Sequence, residues 1–278
     1  MAAKRPIQLN DLFKLHILGR PAISPDGRRV VFEQKRNDLQ DNKNYSRLMI
    51  VDAAAGRVRP LTSDKHVDAR PKWSPDGARV AFISNRDKGA CLFVLSMDGG
   101  EPRRITEPDG FVHDFAWSPD GNRIAYTYQE MSDREKLERD GNSVEPAKRP
   151  QYKHITRLHH KLDGAGWWNG NYTHVFVCDA DGEKRRQLTS GNYDHAEPNW
   201  SPDGKLVSFT SNRIQDPDSF TENADIHVVS PGGGRIRRPP PHHRHGLGRR
   251  PGQERRHRRL PEQCPRRRRR HDPAGVHR

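Results

Sequence analysis

Ser24-Pro25-Asp26-Gly27 recurs as Ser74-Pro75-Asp76-Gly77, Ser118-Pro119-Asp120-Gly121 and Ser201-Pro202-Asp203-Gly204. In each copy the proline presets φ for the second position of a tight turn, the aspartate can accept a hydrogen bond from its own backbone, and the glycine stands where a side chain would clash. Each copy is therefore expected to be a structural hairpin turn. An apolar run follows every one: Val30-Val31-Phe32, Val80-Ala81-Phe82-Ile83, Ile124-Ala125-Tyr126 and Val207-Ser208-Phe209. Trp73, Trp117 or Trp200 precedes three of the turns, and Ile23 holds that place at the first.

The turns start at intervals of 50, 44 and 83 residues. Unit one continues through Leu48–Asp52, Gly56 and Pro60-Leu61-Thr62, and unit two through Leu92–Leu95, Gly99-Gly100 and Arg104-Ile105-Thr106. Four short strands per repeat of roughly 40–50 residues mark a β-propeller blade, because a single four-stranded sheet cannot bury its own faces and must stack on its neighbours. Phe32, Phe82, Tyr126 and Phe209, at equivalent places, are expected to fill the gaps between blades, together with Trp73, Trp117 and Trp200. The long third interval reads as a blade interrupted after its second strand, with an insertion over 129–172. It carries the charged stretch Met131–Arg139, expected to be helical or mobile, and resumes at His174–Asp179 and Arg186–Thr189.

The expected architecture is all-β: an incomplete propeller of about four four-stranded blades, at 20–62, 63–107, 108–190 and 191–234. A segment over 1–19 precedes it, with a short helix capped at Asn10 whose apolar face, Leu12, Phe13, Leu15 and Ile17-Leu18, packs on the first repeat. An Arg-rich tail over 235–278 follows.

The net charge of +14 belongs to that tail. Residues 1–234 hold 34 Lys and Arg against 33 acids, whereas 235–278 hold 16 Arg, no Lys and 3 acids. Hydrophobic residues make up 31% of the chain and the mean hydropathy is −1.07, so part of it is expected not to fold. One reading of the tail is a disordered basic arm on phosphate. It has no aromatic residue on which bases could stack and no scaffold that would enter a groove, which argues against nucleic acid as a partner. The other reading is a GC-rich coding strand translated out of frame from near Gly234–Arg238: His242-His243-Arg244-His245, shifted by one nucleotide, becomes threonine-rich like the strand ends Thr62, Thr106 and Thr189.

Cys91, Cys178 and Cys264 have neither zinc-site nor disulfide spacing and are expected as buried free thiols. Met1–Pro6 is not followed by the apolar run of a signal peptide, and no stretch approaches the ~18 apolar residues of a membrane span. A cytoplasmic chain without a cofactor or metal is the expectation.

Arg5–Leu12, the repeated Trp-Ser-Pro-Asp-Gly, the strand ends Ser84-Asn85-Arg86 and Ser211-Asn212-Arg213, and Ile155–Gly166 inside blade three together resemble the prolyl oligopeptidase family of serine peptidases, its acylaminoacyl-peptidase-like branch in particular. The resemblance covers residues 5–234. It implies an N-terminal propeller, usually seven-bladed, over an α/β-hydrolase domain that carries the serine, acid and histidine, with short or N-acylated peptides as substrates. The sequence departs from the family by ending before any hydrolase domain. A nucleophile elbow needs Gly-x-Ser-x-Gly; the nearest stretch, Gly141-Asn142-Ser143-Val144-Glu145, lacks the last glycine. No catalytic residue is therefore assigned, and the fragment is expected to be inactive alone. The alternative is a non-catalytic scaffold resembling the periplasmic propeller of the Tol system, binding a protein partner.

Three further candidates carry bland readings beside the functional ones. His159-His160 could be a metal pair, but adjacent strand residues point to opposite faces. Trp167-Trp168 with Asn169–Tyr172 reads as an aromatic platform or as packing of the insertion on its blade. Asp26, Asp76, Asp120 and Asp203 could be mistaken for calcium ligands, yet they sit one to a blade and stabilise turns.

Overall fold

The computed structural model describes residues 5–87, 89–141, 154–163 and 166–239. Ser143, Cys264 and the arginine-rich run of the tail lie outside them. Blade one is the antiparallel sheet β1 (Ile17–Ile23), β2 (Arg29–Asp38), β3 (Lys43–Asp52) and β4 (Val58–Pro60), paired in that order. Blade two repeats it with β5 (Asp68–Trp73), β6 (Arg79–Ser84), β7 (Cys91–Ser96) and β8 (Arg103–Arg104). Blade three starts with β9 (Gly110–Trp117) and β10 (Arg123–Glu130), is interrupted by helix α1 (Asp133–Arg139) and the hairpin β11 (Lys161–Leu162) and β12 (Gly166–Trp167), and ends with β13 (Thr173–Asp179) and β14 (Arg186–Gln187). Blade four has β15 (His195–Trp200), β16 (Val207–Ser211) and β17 (Asp225–Val229).

The four turns share one geometry. The glycine N–H donates to the serine carbonyl at 2.8–2.9 Å. The serine hydroxyl donates to the aspartate carboxylate and accepts an N–H five residues on at 2.9 Å. Gly27, Gly77, Gly121 and Gly204 have φ between 68° and 72°, the left-handed region where a side chain is strained. These bonds hold all four carboxyls below the usual carboxylate range, the serine hydroxyl being the largest cause and the backbone N–H the next. A carboxyl depressed in the folded state contributes stability that is present above its unfolded value, about 3.9, and is lost as pH falls through the lower folded value. Acid unfolding followed by circular dichroism should therefore steepen below about pH 4, and Asp→Asn at one turn should flatten that part of the curve.

Side-chain alternation stacks the blades. Val80 and Phe82 join Val31, Leu48 and Ile50 of blade one, while Ala81 and Ile83 on the other face join Val112, Phe115 and Tyr126 of blade three. Ala125 and Val177 of blade three meet Val207 and Phe209 of blade four. Phe82, Tyr126 and Phe209 thus lie fully buried between blades. Phe32 does not: its face of blade one has no neighbouring sheet, and it is half-buried beside exposed Leu18 and Ile23. No apolar cluster among the described residues joins blade four to blade one, so the propeller is not closed.

Two boundaries differ from the sequence reading. The N-terminal helix is a 3-10 turn over Leu9–Lys14 capped at Gln8, not Asn10, because Asp11 accepts the Gln8 N–H at 3.0 Å and pairs with Arg5. Leu12 and Leu15 remain exposed, and Ile17-Leu18 already belong to β1. At the other end the ladder passes Gly234, since Val228 and Arg237 exchange backbone bonds of 2.8 and 2.9 Å and Ile236 packs on the core shared with blade three. Arg237 thereby stands where Arg59, Arg103 and Arg186 stand in the earlier blades.

Candidate functional site

The first strand of every blade is an edge of its sheet, and these four edges line a channel. Each edge is bulged: register slips between Leu18 and Pro21, between Ala69 and Lys72, at His113, and between Ala196 and Asn199. Arg20, Arg70, Asp114 and Glu197 lie at or beside the bulges, each four residues before its turn serine. Arg70 and Glu197 adopt the left-handed region, with φ of 55° and 52°. Bulges re-aim side chains and blunt an open strand edge.

On the side away from the turns the channel opens into a cavity of ≈ 710 Å³ that these four residues share with His113, His195 and the insertion. On the turn side a second cavity of ≈ 630 Å³ is lined by Ile23, Lys72, Trp73, Trp117 and Asn199. Asp114 and Glu197 line both, and so form the neck between them.

The insertion forms a wall of the larger cavity and is pinned at two points. Arg157 donates twice to Asp218 of the β16–β17 connection, at 2.7 and 3.1 Å, and its guanidinium stacks on Trp168 and Tyr172. The same guanidinium holds the Asp218 carboxyl below its usual range. On the opposite side Asn169 and Asn171 donate to the Glu130 carbonyl at 3.1 and 3.0 Å, and Asn169 also reaches Glu135 at 2.9 Å. Glu135 in turn completes the Ser132 capping box of α1.

These contacts sort the sequence candidates. His159 donates from Nε2 to the Asp218 carbonyl at 2.9 Å, while His160 bonds the Leu158 carbonyl and lies tilted against the Trp167 ring. Among the described residues no group of three His, Cys, Asp or Glu side chains is placed to hold a metal ion. Both tryptophans line the cavity; Trp168 is held by its Nε1, which donates to the Asn171 carbonyl at 3.0 Å, and Trp167 is 44% exposed. The turn aspartates bond within their own turns and are not brought together. Cys91 and Cys178 are buried free thiols, pushed up to about 11 and about 12 by desolvation.

Sequence reading missed His195. It is 2% exposed, donates from Nδ1 to the Thr173 carbonyl at 2.8 Å, and leaves Nε2 buried with no partner. Burial is the main cause that lowers it to about 4. A histidine depressed in the folded state adds stability that is full above its unfolded value, about 6.5, and disappears as pH falls toward the folded value. Loss of stability between about pH 6.5 and 4, ahead of the turn aspartates, should be reduced by His195→Phe, the remainder coming from His113, His174 and His227, which burial also lowers, with the melting midpoint as the measurement. The four bulge charges were missed too, although Arg20-Pro21, Arg70-Pro71 and Glu197-Pro198 place a charged residue before proline upstream of three of the turns.

Residues 12–145 match the family model described as the TolB beta propeller domain. An uncharacterized peptidase, YuxL of Bacillus subtilis (strain 168), is 31% identical over 232 residues, covering 81% of this chain and 34% of that protein. Among solved structures, Pyrococcus horikoshii acylaminoacyl peptidase superposes with a TM-score of 0.60 at 16% identity, covering 82% of this chain and 33% of the other. TolB from Acinetobacter baumannii gives a TM-score of 0.51 at 20% identity, covering 77% and 41%. The chain thus spans about a third of the length of the peptidases it matches.

Proposed function

We propose that this chain, a β-propeller portion related to the N-terminal domains of prolyl oligopeptidase (S9) family peptidases, admits short peptides to the active site of an α/β-hydrolase domain and does not cleave them itself. The observation that carries the reading is the pinned insertion beside a channel that runs between two cavities. An opening walled by Arg157, Trp167 and the strand edges suits an extended segment. The non-catalytic part is supported by the bonds that His113, His159, His160, His195 and His227 make to Gln129, Asp218, Leu158, Thr173 and the Ser211 backbone, none of which is a serine hydroxyl. Buried, unpaired Cys91 and Cys178 suit a reducing compartment, and a cytoplasmic location is part of the proposal. No helix among the described residues is long and apolar enough to cross a membrane.

The test uses the purified chain. Acetyl-alanine p-nitrophenyl ester should be hydrolysed no faster than in buffer, and a short alanine peptide should change tryptophan emission through Trp167 while ubiquitin does not. Esterase activity abolished by a serine-directed reagent would overturn the non-catalytic part. The likeness to TolB favours a second reading, a scaffold for a protein partner. Under that reading the peptide leaves the emission unchanged.

A further inference from the structure

The four bulge charges are sorted by sign. Cations stand on blades one and two, Arg20 and Arg70, and carboxylates on blades three and four, Asp114 and Glu197. Protection of a strand edge asks for charge of either sign and does not sort it. Part of the set is already neutralised, since Asp114 accepts from Lys72 at 2.9 Å and lies 3.7 Å from Arg70. Among the described residues Arg20 has no carboxylate partner, and Glu197 meets the Thr210 hydroxyl at 3.5 Å and no cation. An open cation and an open anion therefore face one cavity of ≈ 710 Å³. That volume falls among pockets of roughly 300–1,000 Å³ that enclose small ligands, and a cleft with low-dielectric walls concentrates the field of such charges.

We infer that the larger cavity holds a short peptide by both of its free ends, the carboxylate at Arg20 and the ammonium at Glu197. A guanidinium suits a carboxylate because its N–H groups donate in a planar fork, and a lone carboxylate is the natural acceptor for an ammonium. The inference rests on the peptide-gating reading and adds to it a selection for chain ends over internal segments.

Titration calorimetry of the full chain with four forms of trialanine tests it: free, N-acetylated, C-amidated and doubly capped. Amidation should weaken binding about tenfold, the scale of one charge-assisted hydrogen bond in a partly wet site, and acetylation should weaken it by a similar factor. Raising the salt should shrink both differences. In Arg20→Ala the free and amidated peptides should converge while the acetylation effect stays, and in Glu197→Gln the reverse should hold, with melting midpoints as the check on folding. Equal binding of all four peptides to the unaltered chain would overturn the inference and leave the gating reading intact. Absence of binding by any of them would remove both, and the comparison needs no variant to be decisive.

Discussion

Trp117→Ala should lower the unfolding free energy by about 3–5 kcal/mol, the range for truncating a large buried aromatic. Burial is only part of the reason. Trp73, Trp117 and Trp200 each donate Nε1 to a carbonyl of the preceding blade, Ala22, Lys72 and Ala116, at 3.0, 3.2 and 3.1 Å. From that same preceding blade Arg29, Arg79 and Arg123 lie over the three rings, 4.9, 5.0 and 4.7 Å from their centroids. Each guanidinium also donates to the turn glycine next door, Gly77, Gly121 and Gly204. The junctions between consecutive blades are thus latched in the same way, and Trp117→Ala opens a cavity while taking the indole donor from the Lys72 carbonyl and the ring from under Arg79. A denaturant titration at pH 7 should show a lower midpoint with an unchanged slope, which marks a loss of stability and not of compactness. Ile23, at the tryptophan position of blade one, is 66% exposed. Ile23→Ala should therefore stay within about 0.5 kcal/mol, as surface substitutions do. A loss below about 1 kcal/mol for Trp117→Ala would mean that the latch contributes little beyond a hydrogen bond.

That latch shows how far the sequence could be read. The turns, the apolar runs and the insertion were legible because each is written within one repeat, in residues whose conformational preference is local. The tryptophan before the turn was visible for the same reason. Its arginine was not, because Arg79 and Trp117 belong to different repeats and only the stacking of blades brings them together. The outward residues were misjudged likewise: Phe32 looks like Phe82 in sequence and differs only in having no blade beside it. The charged bulges were hidden by a different cause. A register slip of one residue redirects Arg70 and Glu197 toward the channel, and alternation patterns assume that no such slip occurs. Pairing at Arg237 was missed because the arginine-rich composition after Gly234 obscured the equivalence to Arg59, Arg103 and Arg186.

The second large effect is expected at Asp68, which is 0% exposed and bound by Arg86 through two bonds of 2.9 Å. Arg86 also lies over Phe82 and Phe93, so the pair seals one end of the core between blades one and two. Asp68→Ala strands a guanidinium in that core. Breaking a buried pair from one side costs about 3–5 kcal/mol, because the remaining charge loses its compensation. Removing both partners, in Asp68→Ala with Arg86→Leu, should return most of that loss, since an apolar replacement also avoids burying the charges. Blade four already carries half of this experiment. His195 stands at the position of Asp68 and Arg213 at that of Arg86, and Arg213 lies against Tyr193 with its buried Nε unpartnered. Arg213→Leu should therefore cost far less than Arg86→Leu, which would leave the Asp68 carboxylate buried without its cation. Paired denaturant titrations of the two variants measure the difference directly. Equal losses would show that the stability of blade two comes from apolar packing around the pair and not from the charge compensation that blade four lacks.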